Sequence, residues 1–480
     1  MGKIKTGRDA AGGVPVVRML ASLLRYPGVM GPLLLTGFTA WWGLSHTWAH
    51  IIATGIVLGL VLGVWRLRRP QSFQRLVWWR VKAWWRRWFT YAPNWWWWMG
   101  RFGLSIKTEV RGWIVRPRII KVRSNASTDS LLLDLPDGIT PADIADCVDK
   151  LQHATRARRA TTRQADPGQV WLDLYMRDPL VKTIPAVPIP ESLRVEDLDG
   201  LVIGYAEDGS PWRLRVRGTH ILVAGGTGSG KGSVIWSVLR ALTPFIRAGL
   251  VVVHAIDPKG GMELDFGRDL FYRYEADDYE DMVQLLETAA DEMDDRARYL
   301  RGRARKFTAS PQTPLVLVVV DELMQLTTLL PGPDGRRQMG RVETALGRLL
   351  SKGRGPGYAV LATVVEPTKD IVTWRDIFPD RIALRLGSSS QVDMVLGEGQ
   401  RDLGAEADNI ALSLPGVGFI KVENSPVPIR VRAAYVTDDE IKAMAREYRS
   451  PHHLRPVDTT TAELVDVDEL DQADETGEAA

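Results

Sequence analysis

The chain has 480 residues, 45% of them hydrophobic, with 61 Lys and Arg against 58 Asp and Glu, a net charge of +3. That length has room for two or three domains, and the composition is ordinary for a chain that buries real cores. A single cysteine, Cys147, excludes an internal disulfide and a cysteine-held metal cluster, and suits a reducing compartment.

The charge is unevenly placed. Residues 1–120 carry 18 Lys/Arg and two acids, Asp9 and Glu109, and 13 of the 18 tryptophans precede residue 100. Residues 458–480 carry nine acids and no base. A basic, Trp-rich front and an acidic tail point to an anionic surface at one end only.

After a basic N-terminus, residues 1–25, no Asp, Glu, Lys or Arg occurs from Tyr26 to Trp65. That stretch suits two membrane spans of roughly 18 residues, each about 27 Å at helical rise. "GVMGPLLLTGFTAWWGLS" and "WAHIIATGIVLGLVLGVW" are the expected transmembrane hairpin, within residues 26–66. Lys3, Lys5, Arg8, Arg18 and Arg25 precede it, and Arg66, Arg68 and Arg69 follow. The positive-inside rule then puts both termini in the cytoplasm, with the chain in the inner membrane. A cleaved signal peptide fits poorly, because two spans follow one another with no clear cleavage pattern. A buried soluble hairpin should show polar residues at helical period, and this stretch does not.

Residues 67–119 contain "RLVWWRVKAWWRRWFTYAPNWWWWMG". Tryptophan and arginine together favour the headgroup layer of an anionic inner leaflet. The competing reading is stacking on single-stranded nucleic acid.

Residues 120–199 read as a small α/β module. "SLLLDLP" and "GQVWLDLYM" are strands, and "TPADIADCVDKLQHATR" is a helix capped by Thr140 with Pro141 at its first position. "RARRATTR", 156–163, is a basic patch that suits a solvated loop at least as well as DNA contact. "VKTIPAVPIPESL" is a proline-rich connector. From 200 to 450 strands and helices alternate. "HILVAGG", "GLVVVHAIDPKGG", "PLVLVVVDELMQL" and "GYAVLATVV" are nearly continuous apolar runs. Such strands are buried on both faces, so the expected fold is α/β, a mostly parallel sheet with helices on both sides. His254, inside one of these runs, reads as a core histidine. Residues 451–480 read as an acidic disordered tail.

The chemistry concentrates in "GGTGSGKGS", residues 225–233. Gly225, Gly230 and Lys231 fit the P-loop pattern G-x-x-x-x-G-K-[ST], between a strand and a helix. Backbone N–H groups of Gly225, Gly226, Thr227, Gly228, Ser229, Gly230, Lys231, Gly232 and Ser233 are candidates to cradle phosphates, aided by the helix N-terminus. Lys231 would reach the β/γ-phosphates of ATP. About 90 residues on, an apolar strand ends in Asp321-Glu322. Asp321 is the candidate to hold Mg²⁺ through water, and Glu322 to polarise the attacking water. The pattern breaks at Gly232, where the Mg²⁺-binding hydroxyl belongs. Ser233 points about 100° away on a helix and is the candidate metal ligand if the loop winds one residue differently.

"HILVAGGTGSGKGSV", "IDPKGGMEL", "EMDDRARYL", "VVVDEL" and "DRIALRL" occur in the order and spacing of the FtsK/SpoIIIE family of DNA translocases, which residues 200–448 resemble. With an N-terminal membrane region, the chain looks most like the actinobacterial branch, which includes conjugative-plasmid transfer proteins. The resemblance implies a RecA-like motor, a homo-hexameric ring around double-stranded DNA and ATP-driven translocation. It makes Arg354 and Arg381 candidates for an arginine finger reaching a neighbour's ATP. It also places a polar sensor, usually Gln, at the end of "LATVVEPTKD", where Val364 and Val365 stand here with Glu366 nearby. The family's sequence-reading winged-helix module is expected to be missing after Ser450, so a separate DNA-recognition or transfer protein is an expected partner. The function expected is a membrane-anchored ATP-driven translocase of double-stranded DNA. The alternatives are the ATPase of a type VII-like protein secretion system, and a membrane scaffold that binds ATP and hydrolyses it weakly.

Overall fold

The computed structural model describes residues 48–107 and 114–451, less 192, 305–306, 329–333, 366, 368–374, 424 and 426. The chain divides into two units, Met1–Arg177 and Asp178–Ala480.

In the first unit, the basic N-terminus and the first expected span lie outside the described residues. The second span coincides with helix α1 (Trp48–Arg68). Ile52, Ile56, Leu60 and Val64 on it are exposed. Among the described residues no helix is long and apolar enough to cross a membrane. Residues 70–101 continue as helix, with π-helical stretches at Gln74–Trp78 and Arg86–Tyr91.

The Trp/Arg segment is two-sided. Tyr91, Trp95, Trp98 and Met99 pack with Leu131, Leu133, Leu172 and Leu174 in the unit's core. Trp95 Nε1 donates to Pro117 O at 2.8 Å. Tyr91 Oη donates to Asp129 Oδ2 at 2.7 Å, and Arg86 pairs with the same carboxylate at 3.0 Å. Trp78, Trp85, Trp96 and Trp97 face outward. The helical spacing of Trp95 and Trp98 puts both on one buried stripe, so only the other side of this segment is open to a headgroup layer.

The sheet beneath it has strands β1 (Arg118–Ser124), β2 (Thr128–Asp134), β3 (Arg159–Gln164) and β4 (Gln169–Tyr175), antiparallel in the order β1-β2-β4-β3. The helix expected between β2 and β3 is two, α2 (Pro141–Asp146) and α3 (Val148–Thr155), which meet at Cys147. Thr140 caps the first in a reciprocal capping box with Asp143. The basic patch 156–163 runs into edge strand β3, where Arg163 pairs with Asp173 at 2.7 Å.

The second unit contains, in order, β5 (Leu201–Ala206), β6 (Pro211–Leu214), β7 (Ile221–Ala224), α4 (Lys231–Arg247), β8 (Val251–Ile256), β9 (Arg273–Glu275), α5 (Tyr279–Leu300) and β10 (Leu315–Val320). Then come α6 (Leu323–Thr327), α7 (Gly335–Lys352), β11 (Tyr358–Val364), β12 (Asp380–Leu384), α8 (Ser389–Leu396), β13 (Val417–Lys421), β14 (Ile429–Ala433) and α9 (Asp438–Glu447). All ten strands form one sheet, ordered β9-β8-β10-β11-β7-β12-β13-β14-β5-β6.

The six strands from β9 to β12 are parallel. The remaining four add antiparallel pairs at one edge, so the sheet is mixed. Alternate residues of β10 explain its unbroken apolar run. Val316, Val318 and Val320 pack with α5 and α7 on one face, while Leu315, Leu317 and Val319 pack with α4 on the other. Leu180, just before the proline-rich stretch, and Ile184, within it, pack into the first of these cores.

His254, in β8, and His220, just before β7, are buried. Burial, with Arg273 and Arg296 nearby, pushes His254 down to about 3. Burial, with Arg354 nearby, pushes His220 down to about 4. His220 Nδ1 accepts from Val360 N at 3.2 Å. Because both folded-state values lie below the unfolded value of about 6.5, the unfolded chain takes up protons first as pH falls. Stability is therefore expected to fall from about pH 6.5 towards pH 4, by roughly 3 kcal/mol for each histidine. Thermal melts of the full chain across that window check this, and His254→Leu should flatten the slope.

Candidate functional site

A glycine-rich loop connects β7 to α4 at the carboxyl ends of the parallel strands, where open α/β sheets bind ligands. The loop is anchored at its start. Gly225 N donates to Val364 O at 3.0 Å and Gly226 N to Arg385 O at 2.9 Å. These two N–H groups are therefore spent on the sheet and on the segment after β12. Gly230 precedes the first helical residue with φ +95°, and a Cβ there would lie 2.7 Å from Gly416 Cα. Only glycine fits so close a backbone approach at that φ. The N–H groups of the first turn of α4, from Lys231 onward, have no partner inside the helix, and Lys231, Gly232 and Ser233 line a cleft.

The cleft has a volume of about 550 Å³ and is lined by Thr227, Gly228, Ser229, Gly230, Lys231, Gly232 and Ser233 on one side. Lys259, Glu263, Asp321 and Val365 line it on another. Its size lies in the usual range for ligand pockets, roughly 300–1,000 Å³. The Ser229 hydroxyl is buried and has no hydrogen-bond partner. Lys231 Nζ folds back onto Gly225 O at 2.8 Å. Burial lowers its pKa, and Glu322 opposes that shift.

Asp321 and Glu322 follow β10 directly and are 4% and 3% exposed. Burial works against the charge on Lys259, but Asp321 and Glu322 outweigh it and hold this lysine above its ordinary value. Lys259 Nζ lies 3.5 Å from Asp321 Oδ2 and 3.3 Å from Glu322 Oε2. Glu322 adopts φ +67° and ψ +72°, a left-handed conformation that costs a non-glycine residue roughly 1–3 kcal/mol and clusters at functional sites. Its Oε1 accepts from Val365 N at 3.1 Å.

The polar group at the end of β11 is Thr363, one residue before the expected sensor position. β10 and β11 pair Val320 with Ala362, so Thr363 stands beside Asp321. Its hydroxyl donates to Asp321 Oδ1 at 2.8 Å and accepts from Glu322 N at 3.0 Å. Thr363 thus orients both acids, a role not read from the sequence. Val364 is buried, Val365 contributes its backbone N–H and lines the cleft, and Glu366 lies outside the described residues.

The structure brings together Thr227 to Ser233 of the loop with Asp321 and Glu322. It does not bring Arg354 or Arg381 to them. Arg354 Nε donates to Gly218 O at 2.9 Å, ahead of β7, and its guanidinium pairs with Glu423 at 2.8 Å. Arg381 sits at the second position of β12 and lies 3.5 Å from Asp376. Nearer the loop is Arg385, whose Nη2 donates to Thr227 O at 2.7 Å. Nothing in the sequence pattern singles out Arg385, because its contact depends on where β12 ends.

Two regions of the chain match known families. Residues 203–310 match the FtsK/SpoIIIE family, and residues 63–176 match the actinomycete conjugal transfer protein N-terminal domain. Transfer protein TraSA of Streptomyces ambofaciens is 27% identical over 342 residues, covering 67% of this chain and 79% of that protein. DNA translocase FtsK of Streptococcus agalactiae is 24% identical over 366 residues, covering 71% of this chain but 41% of that protein. The chain thus spans most of the transfer protein and less than half of the translocase. Among solved structures, the pCW3 conjugation coupling protein TcpA, a monomer form with ATPγS, aligns with TM-score 0.49 and 18% identity over 69% of this chain and 94% of that one.

Proposed function

We propose that this chain, which belongs to the FtsK/SpoIIIE family and is a P-loop ATPase using ATP with Mg²⁺, is a membrane-anchored motor that moves double-stranded DNA in conjugal or mobile-element transfer. The observation that carries this is that Lys231, after β7, and Asp321, after β10, line one cleft at the ends of two parallel strands that flank β11, with Glu322 beside Asp321 and paired to Lys259. The match of residues 63–176 to a conjugal transfer domain favours transfer over housekeeping segregation.

In this scheme the first turn of α4 binds the phosphates, and Lys231 leaves Gly225 O to reach them. Asp321, oriented by Thr363, lines the cleft and would hold Mg²⁺, which when bound would supply charge neutralisation on the phosphate oxygens. Glu322 accepts a proton from the water that attacks the γ-phosphorus, as the bond to the bridging oxygen breaks and ADP leaves. Assembly as a hexameric ring, with Arg354 or Arg381 reaching a neighbour's ATP, rests on the family resemblance.

Duplex binding is expected to rest on phosphate contacts. Affinity should fall by about 10³-fold or more between roughly 50 and 200 mM salt, with little dependence on sequence. Fluorescence anisotropy with unrelated duplexes checks this, and a footprint on one short site by this chain alone contradicts it.

Anchoring is proposed through the uncharged stretch 26–65, with basic residues on both flanks holding the ends in the cytoplasm. The outward-facing Trp and Arg side chains of residues 70–101 would add roughly 1 kcal/mol per basic residue on anionic lipid. In a Cys147→Ser background, a cysteine at Thr47 should label from outside the cell with a membrane-impermeant reagent, and one at Gly7 should not. Labelling at Gly7 overturns the hairpin.

A further inference from the structure

Gly232 stands where the P-loop pattern places a metal-binding hydroxyl, and another residue occupies that side-chain volume. A Cβ built on Gly232 would overlap Glu263 Oε1 and lie 2.8 Å from Glu263 Cδ. The carboxylate of Glu263 therefore rests against the bare Cα of Gly232, inside the cleft that Lys231 and Asp321 also line.

The loop that carries Glu263 is fixed. Asp257, fully buried at the end of β8, accepts from Glu263 N at 2.9 Å and Leu264 N at 3.0 Å through Oδ2. Its Oδ1 accepts from Lys259 N at 3.2 Å. The Asp257-Pro258-Lys259 turn thus folds the chain back so that Glu263 meets the first turn of α4. Burial raises the Glu263 pKa, as do Asp321 and Asp257, while Lys259 opposes them. A side-chain hydrogen bond from Trp236 to the carboxylate also opposes that rise.

We propose that Glu263 supplies, from the neighbouring loop, the Mg²⁺-binding oxygen that residue 232 lacks, and that glycine at 232 is what gives that carboxylate room. This rests on ATP binding at the P-loop. Among the described residues, no three His, Cys, Asp or Glu side chains are gathered to hold a metal alone. The ion therefore arrives with the nucleotide, held by phosphate oxygens, water and one or two carboxylates, which is the usual habit of Mg²⁺. Ser233 lines the cleft but is one helical step away from the position Glu263 fills. Without metal, Glu263 repels the triphosphate, so its contribution changes sign with the ion.

The test is binding of a fluorescent ATPγS analogue to the full chain, titrated with Mg²⁺, with Mn²⁺, and in EDTA. Glu263→Ala and Glu263→Gln should each raise the metal concentration for half-maximal binding by about tenfold or more, on the scale of lost metal-site partners. Binding in EDTA should be unchanged or tighter. Gly232→Ser alone should weaken metal-dependent binding, because its side chain meets Glu263. Combining Gly232→Ser with Glu263→Ala should restore most of the metal response, since space and hydroxyl then coincide. Thermal melts of each variant separate lost folding from lost metal binding, and Glu263→Gln keeps the shape where Glu263→Ala unfolds. A metal midpoint for both Glu263 variants within about twofold of the parent, or a tenfold loss on Ser233→Ala instead, overturns the proposal. Lys231→Ala distinguishes the premise: if it binds nucleotide normally with and without metal, the ATP site itself is misplaced.

Discussion

Glu322→Gln is expected to lower ATP turnover by about 10²–10⁴-fold, the range for loss of a general base, while nucleotide affinity changes little. The substitution keeps the shape of a residue held on three sides. Its backbone N–H donates to the Thr363 hydroxyl, one side-chain oxygen accepts from Val365 N, and the other faces Lys259. Glutamine retains an oxygen for Val365 and leaves Lys259 paired with Asp321. What it loses is the ability to take a proton. Phosphate release under saturating ATP, beside a nucleotide-binding titration, reads the two effects separately. Undiminished turnover would remove Glu322 as the base.

Lys231→Ala should act one step earlier, on binding. The ammonium is partly buried beside the loop, its pKa lowered by that burial and supported by Glu322. In place it donates to a neutral acceptor, Gly225 O. Exchanging that carbonyl for phosphate oxygens pairs the ammonium with an anion, worth roughly 2–3 kcal/mol, so affinity should fall about 30- to 160-fold. Isothermal titration with ATPγS measures this. Affinity that survives the substitution would place the triphosphate elsewhere.

The parts of this site that are legible in the sequence are those set by neighbouring residues. β7 is an apolar run that breaks into glycine, and β10 is an apolar run that ends in two acids, so residue order alone places strand, loop and carboxylates. The parts that are not legible depend on register between distant strands. Thr363 reaches Asp321 only because β11 pairs with β10 as Ala362 to Val320, and one residue of slip would send its hydroxyl to the other face. Glu263 lies within the motif "IDPKGGMEL", yet its approach to Gly232 follows from the buried Asp257 that folds its loop back. The break at Cys147 and the antiparallel strands β13, β14, β5 and β6 escape a sequence reading for a simpler reason. Short elements leave too few residues to show a period.

The same contrast holds for the tryptophans. Their number and their arginine neighbours point outward, to a membrane surface. Trp95 and Trp98 turn inward, one onto Pro117 O and both onto the sheet core, because three-residue spacing aligns them on one face of the helix.

ATP turnover by the full chain, measured with and without duplex DNA at low and high salt, tests the motor most directly. Duplex DNA of any sequence should raise turnover severalfold at low salt, the stimulation should fade as salt rises, and Glu322→Gln should abolish it. Turnover indifferent to duplex DNA at low salt, in protein that binds and hydrolyses ATP, would contradict a DNA-driven motor and favour a secretion ATPase or an ATP-binding scaffold.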